Sequence, residues 1–454
     1  MTRLAVDLDL VRKYNLPGPR YTSYPTALQF TEVTDPAPLI ADIHDNNVTP
    51  RPLSLYFHLP FCETLCWFCG CTTVIGGDHS RTNVYLDYLE REIELTRNLL
   101  HPDRKAIQMH FGGGTPNYLE PDEIDRIGRI IERAFNFDHN PECSVELDPR
   151  HLTRGHVEAF ALIGFNRASI GIQDFNPDVQ RAINRIQSVE MTEDTVTWLR
   201  ESGFDSINFD LIYGLPHQNE KTFEQTINQA LELGPDRFAI FNYAHVPWMK
   251  PAQKLLSVLP TAETKLSMLK LVTEKLTSSG YHYIGMDHFA LAEDELTRAQ
   301  KSKTLQRNFQ GYSTLAGADI YAFGMSSISQ IDTHYRQNEK TLPEYYAALD
   351  ADRLPITRAV QLNRDDQIRR TVIMKLMCDL ELDYDQLGTA LAIDFRSYFR
   401  DGLEDLHQTE NDGLIKRTKS GMRVTEMGRL LLRNLAMRFD AYLDSTPNRF
   451  SKTI

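Results

Sequence analysis

The sequence has no long hydrophobic run and no apolar core region near its start. No stretch approaches the roughly 18 uninterrupted apolar residues that a membrane helix needs, so we expect no membrane span. The first twenty residues carry scattered charges, which argues against a secretory signal. We therefore expect a cytoplasmic protein, in which thiols stay reduced and structural disulfides are rare.

A basic excess is also missing. The formal net charge is −13 at pH 7, which argues against a general nucleic-acid binder because phosphate contacts need a positive surface. A polyanionic substrate would need a local basic patch set against this overall charge. No heptad run suggests assembly, so we expect a monomer.

The composition that remains is that of a globular protein, with 41% hydrophobic and 24% charged residues. A chain of 454 residues has room for two or three domains. Short apolar runs recur, each followed by a turn and a helical pattern, as expected for strands covered on both faces in a parallel sheet. These runs lie at residues 52–60, 106–111, 143–149, 167–175, 206–216 and 237–247. Helical faces between them are predicted from Leu86, Leu89, Ile93 and Leu100, and from Ile124, Ile127, Ile131 and Phe135.

A weak internal repeat indicates a barrel. Three segments run from a glycine and an aromatic residue through an apolar strand to an acid, which is Asp174, Asp210 or Asp287. The glycine can end a helix, and the acid falls where the strand ends. In a β/α barrel, that carboxyl-terminal rim is where active sites are built. We therefore predict an α/β fold with a partial or complete TIM-like (β/α) barrel.

The chain is predicted to have three parts. Residues 1–50 would form an N-terminal extension covering the barrel mouth, residues 51–340 the barrel, and residues 341–454 a mostly helical, winged-helix-like C-terminal domain. Acids are mixed among the basic residues of this last part, so a structural function is favoured over DNA binding. A hairpin is expected at Ser420-Gly421, followed by a helix with Leu432, Leu435, Phe439 and Tyr442 on one side.

Four of the six cysteines fall within ten residues, in the segment LPFCETLCWFCGC. Cys62, Cys66 and Cys69 have the spacing C-x3-C-x2-C, and Cys71 follows. Disulfides between such close pairs would form strained rings. A zinc ion prefers four ligands, often from two segments, and could recruit Cys71 or His58. Three thiolates around a [4Fe–4S] cluster would instead leave one iron open for a substrate or cofactor, and spacing alone leaves both alternatives open.

A glycine segment follows the second predicted strand. It runs Gly112-Gly113-Gly114-Thr115-Pro116, and it favours close approach of the backbone to a ligand over a simple tight turn. Together with Cys62-x3-Cys66-x-Phe68-Cys69, this segment resembles the radical S-adenosylmethionine (SAM) family.

Longer segments resemble the oxygen-independent coproporphyrinogen III oxidase family within it. From residue 13 to about residue 314, the resemblance is carried by KYNLPGPRYTSYPT, ELDPR, GIQDFN, NFDLIYGLP, FNYAHVP, IGMDHFA and RNFQGYST. A haem-chaperone branch is similar in the three cysteines and much of the barrel, and it is the alternative. That branch generally lacks both GPRYTSYPT and the fourth cysteine, so their presence here favours the dehydrogenase.

The resemblance implies a reaction and its cofactors. Two propionate side chains of coproporphyrinogen III would be oxidatively decarboxylated to vinyl groups, which gives protoporphyrinogen IX. The implied cofactors are a [4Fe–4S] cluster held by Cys62, Cys66 and Cys69, and two SAM molecules, one of which yields a 5′-deoxyadenosyl radical. An electron donor and an electron acceptor are also implied, and the sequence identifies neither.

Matched positions imply the remaining site residues. The contacts of the first SAM would be Tyr56, Gly113, Glu146 and Ile328. The contacts of the second would be Phe68, Gly114, Thr115, Gln173, Arg185, Asp210 and Ala244. Candidate catalytic residues are Cys71, Tyr56, His58 and Gln310, and candidate substrate contacts are Arg20, Arg307 and Tyr312.

Overall fold

The structure is a computed structural model that describes residues 6–443 and residue 450. The first five residues of the predicted extension, and residues 444–449 and 451–454 of the predicted C-terminal domain, lie outside the described residues. The strands are β1 (Thr31–Glu32), β2 (Leu53–Leu59), β3 (Phe61–Cys62), β4 (Val74–Ile75), β5 (Lys105–Gly113), β6 (Asn136–Leu147), β7 (Arg167–Gln173), β8 (Ser206–Tyr213), β9 (Arg237–Asn242), β10 (Tyr281–Gly285), β11 (His288–Leu291), β12 (Gln306–Asn308), β13 (Gly311–Ser313), β14 (Asp319–Phe323), β15 (Ile328–Gln330), β16 (His334–Asn338), β17 (Ile356–Gln361), β18 (Glu381–Asp383), β19 (Ile415–Arg417) and β20 (Gly421–Val424).

Helices alternate with most of these strands. The α-helices are α1 (Leu8–Tyr14), α2 (Ala37–Asp45), α3 (Ser80–Arg97), α4 (Pro121–Ala134), α5 (Arg154–Leu162), α6 (Pro177–Ala182), α7 (Val189–Glu201), α8 (Glu220–Glu232), α9 (Ala262–Ser278), α10 (Glu295–Ser302), α11 (Leu342–Asp350), α12 (Arg364–Asp379), α13 (Tyr384–Leu391), α14 (Phe395–Tyr398), α15 (Arg400–Asn411), α16 (Glu426–Leu430) and α17 (Leu432–Ala436). Short 3-10 helices lie at Ala27–Gln29, Pro116–Tyr118, Pro149–His151, Pro251–Leu255 and Met437–Phe439.

A mixed 13-stranded sheet forms the centre of the molecule. Seven of its strands are parallel neighbours, in the order β14-β2-β5-β6-β7-β8-β9. Antiparallel strands extend both edges, with β15, β16, β17 and β1 beyond β14, and β11 and β10 beyond β9. The two ends of this sheet are not paired within the described residues. Of the two predicted forms, the structure therefore has the partial barrel.

The six predicted strands are all confirmed as members of the parallel part. They correspond to β2 and β5 to β9. Helices α3 and α4 bury the predicted apolar faces, including Leu86, Leu89, Ile124 and Ile127. A capping box at Glu120 and a proline at the next position fix the start of α4. Strand β14, in which all five residues are buried, is not predicted from the sequence.

The C-terminal region has its own hydrophobic core. The predicted hairpin is confirmed, since β19 and β20 pair antiparallel, and β18 joins them as a third strand. The single helix predicted after the hairpin is wrong, because the chain forms α16, α17 and a 3-10 turn instead. Leu432, Leu435 and Phe439 are nevertheless buried in this core.

Residues near the N-terminus pack into the same core. Tyr14, Tyr21 and Tyr24 are buried among the C-terminal helices. The buried Arg433 donates from Nε to the carbonyl oxygen of Pro19 at 2.9 Å, and Asn434 donates to that of Tyr14 at 2.8 Å. The two ends of the described chain are therefore joined by direct hydrogen bonds. The division at residues 50 and 340 stays a prediction.

Candidate active site

The four clustered cysteines lie on the loop that follows β2. Strand β3 carries Cys62 and pairs with β4, which closes the loop at its base. Four contacts hold the loop to later segments: Trp67 N–H to Ile183 O at 3.0 Å, Asn184 Nδ2 to Leu65 O at 2.9 Å, Gln253 Nε2 to Phe68 O at 3.0 Å and Lys250 Nζ to Cys71 O at 2.8 Å. The loop is therefore fixed from several directions.

Each of the three motif sulfurs has a hydrogen-bonding neighbour. The hydroxyl of Thr115 lies 3.3 Å from Cys62 Sγ. The N–H of Cys71 donates to Cys69 Sγ at 3.4 Å. Cys66 Sγ receives two guanidinium contacts, from Arg150 Nη2 at 3.4 Å and from Arg185 Nη1 at 3.7 Å.

The pKa values of the Cys62 and Cys69 thiols are shifted in opposite directions. Burial raises the pKa of the Cys62 thiol to about 11. The neighbouring Cys71 thiol donates a hydrogen bond to Cys69 and lowers the pKa of Cys69 to about 6. Cys69 is therefore more readily deprotonated than Cys62 before any ligand binds.

The glycine segment packs directly under this loop. Gly114 N–H donates to Leu59 O, and Thr115 N–H donates to Phe61 O, both at 2.8 Å. A Cβ on Gly114 would lie 2.5 Å from the Pro60 carbonyl atoms. Gly113 has φ +112°, and its Cβ would lie 2.6 Å from the His58 ring. Protein neighbours alone therefore require glycine here, whatever ligand the segment also meets.

A buried carboxylate joins the two arginines. Asp148 accepts from Arg150 at 2.6 Å and from Arg185 at 2.8 Å. Burial opposes its charge, but these guanidinium groups hold the pKa of Asp148 well below its ordinary range. The three side chains are 7–12% exposed. They form a rigid charged group against the back of Cys66.

The cysteines line a cavity of about 300 Å³. Most of the predicted SAM contacts line the same cavity, and two of them, Glu146 and Asp210, are carboxylates. The full set is Phe68, Gly113, Gly114, Thr115, Glu146, Gln173, Arg185 and Asp210. Burial raises the pKa of Asp210 to about 7, against hydrogen bonds from Ser169 and Asn208 that favour its charge. The cavity size lies at the lower end for ligand pockets.

A second cavity of about 270 Å³ lies beside the first, and Glu146 lines both. Tyr56, His58, Gln310 and Ile328 line the second cavity. His110 donates from Nε2 to Glu146 at 3.3 Å. Burial disfavours the charge of Glu146, yet the hydrogen bond from His110 keeps its pKa below the ordinary value. Glu146 is therefore an ionised acceptor between the two spaces.

His58 supports the site from within the protein. Its Nε2 donates to the Thr72 carbonyl at 3.0 Å, so its Nδ1 accepts from the Tyr56 hydroxyl at 3.1 Å. Burial lowers the pKa of His58 and keeps the ring neutral. The side-chain nitrogen Nε2 of Gln310, in contrast, is buried with no hydrogen-bond partner among the described residues. That donor is available to a ligand in the second cavity.

The predicted substrate contacts lie at the edge of the barrel mouth. Arg20 forms an ion pair with Asp287 and lies 5.5 Å from the centre of the Phe241 ring, which lines the cysteine cavity. Arg307 donates to the carbonyls of Tyr21 and Arg20 at 3.2 and 3.4 Å. The Tyr312 hydroxyl donates to the Met377 carbonyl at 3.1 Å, so it is already engaged by α12.

Ala244 is the one predicted SAM contact that lines neither cavity. It is exposed in the loop two residues after β9. Asp174 directly follows β7, as the repeat predicts, and its side chain is buried against α8, where it accepts from the Thr226 hydroxyl at 2.7 Å. Its left-handed neighbour Gln173, at φ +70°, breaks the alternation of the strand faces.

The donor set fits an iron–sulfur cluster better than a single metal ion. All six cysteines are free thiols, and Cys143 and Cys378 are buried apart from the loop. Within residues 6–443, no three cysteine, histidine or carboxylate side chains converge as they would around one ion. A cubane instead takes its thiolates at separate iron atoms, so its ligands need not converge on one point.

Comparisons with known proteins agree with this geometry. Residues 56–230 match the Radical SAM superfamily, and residues 362–431 match the HemN C-terminal domain. Over 454 residues the chain is 44% identical to an oxygen-independent coproporphyrinogen III oxidase of Synechocystis, with 98% of this chain and 97% of that protein covered. The chain belongs to the oxygen-independent coproporphyrinogen III oxidase family.

Further relatives extend the match to a solved structure. The Escherichia coli oxygen-independent coproporphyrinogen III oxidase is 43% identical over 452 residues, which cover 99% of this chain and 98% of that one. The solved structure of the coproporphyrinogen III oxidase HemN from Escherichia coli, described as a radical SAM enzyme, superposes with a TM-score of 0.93 at 41% identity, covering 97% of this chain and 100% of that one. The family is one of radical SAM enzymes, and it implies a [4Fe–4S] cluster and SAM. In the part of the chain that the structure describes, no helix is long and apolar enough to cross a bilayer.

Proposed function

We propose that this enzyme converts two propionate side chains of coproporphyrinogen III to vinyl groups in the absence of oxygen. The observation that carries the proposal is the cysteine cavity, whose wall joins the three-thiol motif to the glycine segment and to two carboxylates. Full-length identity of 42–44% to several oxygen-independent coproporphyrinogen III oxidases supports coproporphyrinogen III as the substrate.

Cys62, Cys66 and Cys69 are proposed to hold the cluster. Their sulfurs face one cavity, and each has a donor beside it that lowers the cost of a thiolate. When bound, the cluster and SAM supply the one-electron chemistry that removes a hydrogen atom from the substrate. Cys71 is proposed to stay unligated, since its thiol donates a hydrogen bond to the Cys69 sulfur.

Two SAM molecules are proposed to bind in the two adjoining cavities. From the first predicted set, Tyr56 and Ile328 line the second cavity, Gly113 lines the cysteine cavity and Glu146 lines both. From the second set, Arg185 and Asp210 line the cysteine cavity. Glu146 can accept hydrogen bonds from ribose hydroxyls on either side, and the guanidinium group of Arg185 suits a carboxylate. Ala244 stays a candidate that needs the loop after β9 to approach the cavity.

Arg20 is proposed to bind a propionate of the substrate. Its side chain is 36% exposed beside Phe241, and it is held there because Arg307 binds the backbone of the same segment. Gln310 offers its unpaired donor as a catalytic or substrate contact. Tyr56 and His58 are proposed to position ligands, because their polar atoms already bind each other. The electron donor and acceptor are separate partners of the reaction.

The test is anaerobic turnover. The full chain, reconstituted with iron and sulfide, is incubated with SAM, a reductant and coproporphyrinogen III, and the products are separated by chromatography. We expect vinyl products, with two methionines formed for each molecule fully converted. Haem binding without turnover would overturn the proposal in favour of the chaperone alternative. A colourless protein that contains zinc and no iron would overturn it in favour of a structural metal site.

Removing residues 1–30 tests the substrate assignment separately. We expect the truncated enzyme to keep its brown cluster and lose turnover, because Arg20 and its supporting segment are gone. Arg20→Gln provides the matched point variant, and Arg12→Gln, which removes an exposed ion pair with Glu263, provides the control. Unchanged turnover in the truncated enzyme would contradict the assignment.

A further inference from the structure

We infer that Arg150 is a positioning residue that sets the reduction potential of the cluster through Cys66. The inference rests on the cluster of the proposed function. It concerns a residue outside the cysteine motif and outside the predicted SAM contacts. Arg150 lies in the 3-10 turn Pro149–His151, directly after β6.

The contact to the sulfur is direct. Arg150 Nη2 lies 3.4 Å from Cys66 Sγ, within the range of a hydrogen bond to sulfur. Cys66 is buried, and the arginine side chain is only 12% exposed, so little solvent screens the interaction. The neighbours of the other two sulfurs, the Thr115 hydroxyl and the Cys71 N–H, are uncharged. Cys66 is therefore the one ligand with charge-assisted donors, which are roughly twice as strong as neutral ones.

The orientation of Arg150 is fixed by Asp148. The carboxylate accepts from Arg150 Nε at 3.0 Å and from Nη2 at 2.6 Å, so the guanidinium plane cannot turn freely. Asp148 is itself locked, because its N–H and carbonyl pair with the Asn117 side chain at 2.9 and 3.0 Å. A planar fork held this way keeps its donor directed at the sulfur.

The charge balance points to the same conclusion. Two guanidinium groups, Arg150 and Arg185, share the single carboxylate of Asp148 in a buried site. One positive charge is left over, and a buried charge is costly unless it is paired. The Cys66 thiolate supplies the opposite charge. The site is therefore complementary to a ligand sulfur that carries electron density from a reduced cluster.

The consequence is a direction for the reduction potential. Reduction adds negative charge to the cluster and its sulfurs, and a positive donor at one sulfur stabilises that state. Hydrogen bonds to ligand sulfurs are among the factors that set the potentials of such clusters. Loss of Arg150 should therefore make the cluster harder to reduce, while its three cysteine ligands remain in place.

The experiment compares midpoint potentials in the loaded full-length enzyme. Wild type, Arg150→Lys and Arg150→Gln are titrated anaerobically, with the reduced cluster followed by electron paramagnetic resonance. We expect the potential to fall in the order wild type, Lys, Gln, because lysine keeps the charge and loses the fixed fork. Lys250→Gln is the control, since Lys250 lies beside the loop but donates to the Cys71 carbonyl. We expect its potential to change by less than half as much as in Arg150→Gln.

The outcomes separate the inference from the proposed function. An unchanged potential in Arg150→Gln with full iron and sulfide would overturn the inference, as would an equal change in Lys250→Gln. If Arg150→Gln does not retain its cluster, Arg150→Lys becomes the test variant, and a wild-type potential in Arg150→Lys would then overturn the inference. Absence of iron and sulfide from the wild-type protein would instead overturn the proposed function.

Discussion

Replacing Asp210 by asparagine should stabilise the protein, and more so at high pH than at low pH. Asp210 is a half-buried acid on β8 whose ordinary pKa of 3.8 is raised to about 7. The unfolded chain gives up this proton at lower pH than the folded protein does. Stability therefore falls as pH rises from about 4 to about 7, and the loss is complete above that. Asparagine has no proton to lose, so the variant escapes the penalty.

The magnitude follows from the size of the pKa shift. One pKa unit corresponds to about 1.4 kcal/mol, so the two units between pH 5 and pH 7 are worth about 3 kcal/mol at most. Asp210 lines a cavity that water can enter, and we expect screening to halve this to about 1.5 kcal/mol. With an unfolding entropy of about 2.1 cal/mol/K per residue, this is a difference of about 2 °C in Tm.

Differential scanning calorimetry measures this difference. The loaded enzyme without SAM is scanned at pH 5 and pH 8 for wild type and Asp210→Asn, and the gain in Tm should be about 2 °C larger at pH 8. Asp205→Asn, an exposed acid one residue before the same strand, controls for the lost negative charge. A gain that is equal at both pH values, or larger at pH 5, would refute the reasoning.

Two further predictions use matched pairs of residues. Gly114→Ala should lower both Tm and iron content, because the new Cβ would lie 2.5 Å from Pro60. Gly70→Ala is the control and should change neither, because its Cβ would meet nothing within 4 Å. Equal effects of the two substitutions would contradict the steric argument. Arg104→Leu should cost about 3–5 kcal/mol in urea unfolding, since it leaves the carboxylate of Asp319 buried without its close partner. Arg51→Leu removes an exposed cation 3.7 Å from the same carboxylate and should cost less than about 1 kcal/mol. A similar loss of stability in both variants would contradict the view that burial of the Arg104–Asp319 pair causes the larger loss.

The parallel strands could be predicted because each contains a short run rich in apolar residues. A strand covered on both faces favours apolar residues on both sides, and β2 and β5 to β9 carry such runs between clear turns. Strand β14 is as buried as these but only five residues long. It follows a stretch of short strands with mixed polarity, so periodicity alone does not separate it from its surroundings.

The candidate site could be predicted only where spacing along the chain is local. The cysteine motif and the glycine segment are contiguous, and both lie on the cavity wall. Arg150 is 84 residues away from Cys66, and only folding brings them together. The repeat locates Asp174 correctly at the end of β7 but does not show where its side chain lies, because the left-handed backbone at Gln173 changes the alternation of faces. Neither effect leaves a mark in the periodicity.

The hydrogen bonds that join residues 14–21 to Arg433 and Asn434 constrain how the enzyme is made. More than 400 residues separate the partners, with a separation of 414 positions between Arg433 and Pro19. Residues 14–21 therefore cannot take their final place until Arg433 and Asn434 have been translated. The four hydrogen bonds described above that hold the cysteine loop involve no residue later than Gln253. A nascent chain can thus complete these contacts of its thiol loop before residues 14–21 pack against Arg433 and Asn434, so the loop does not depend on that late step of folding.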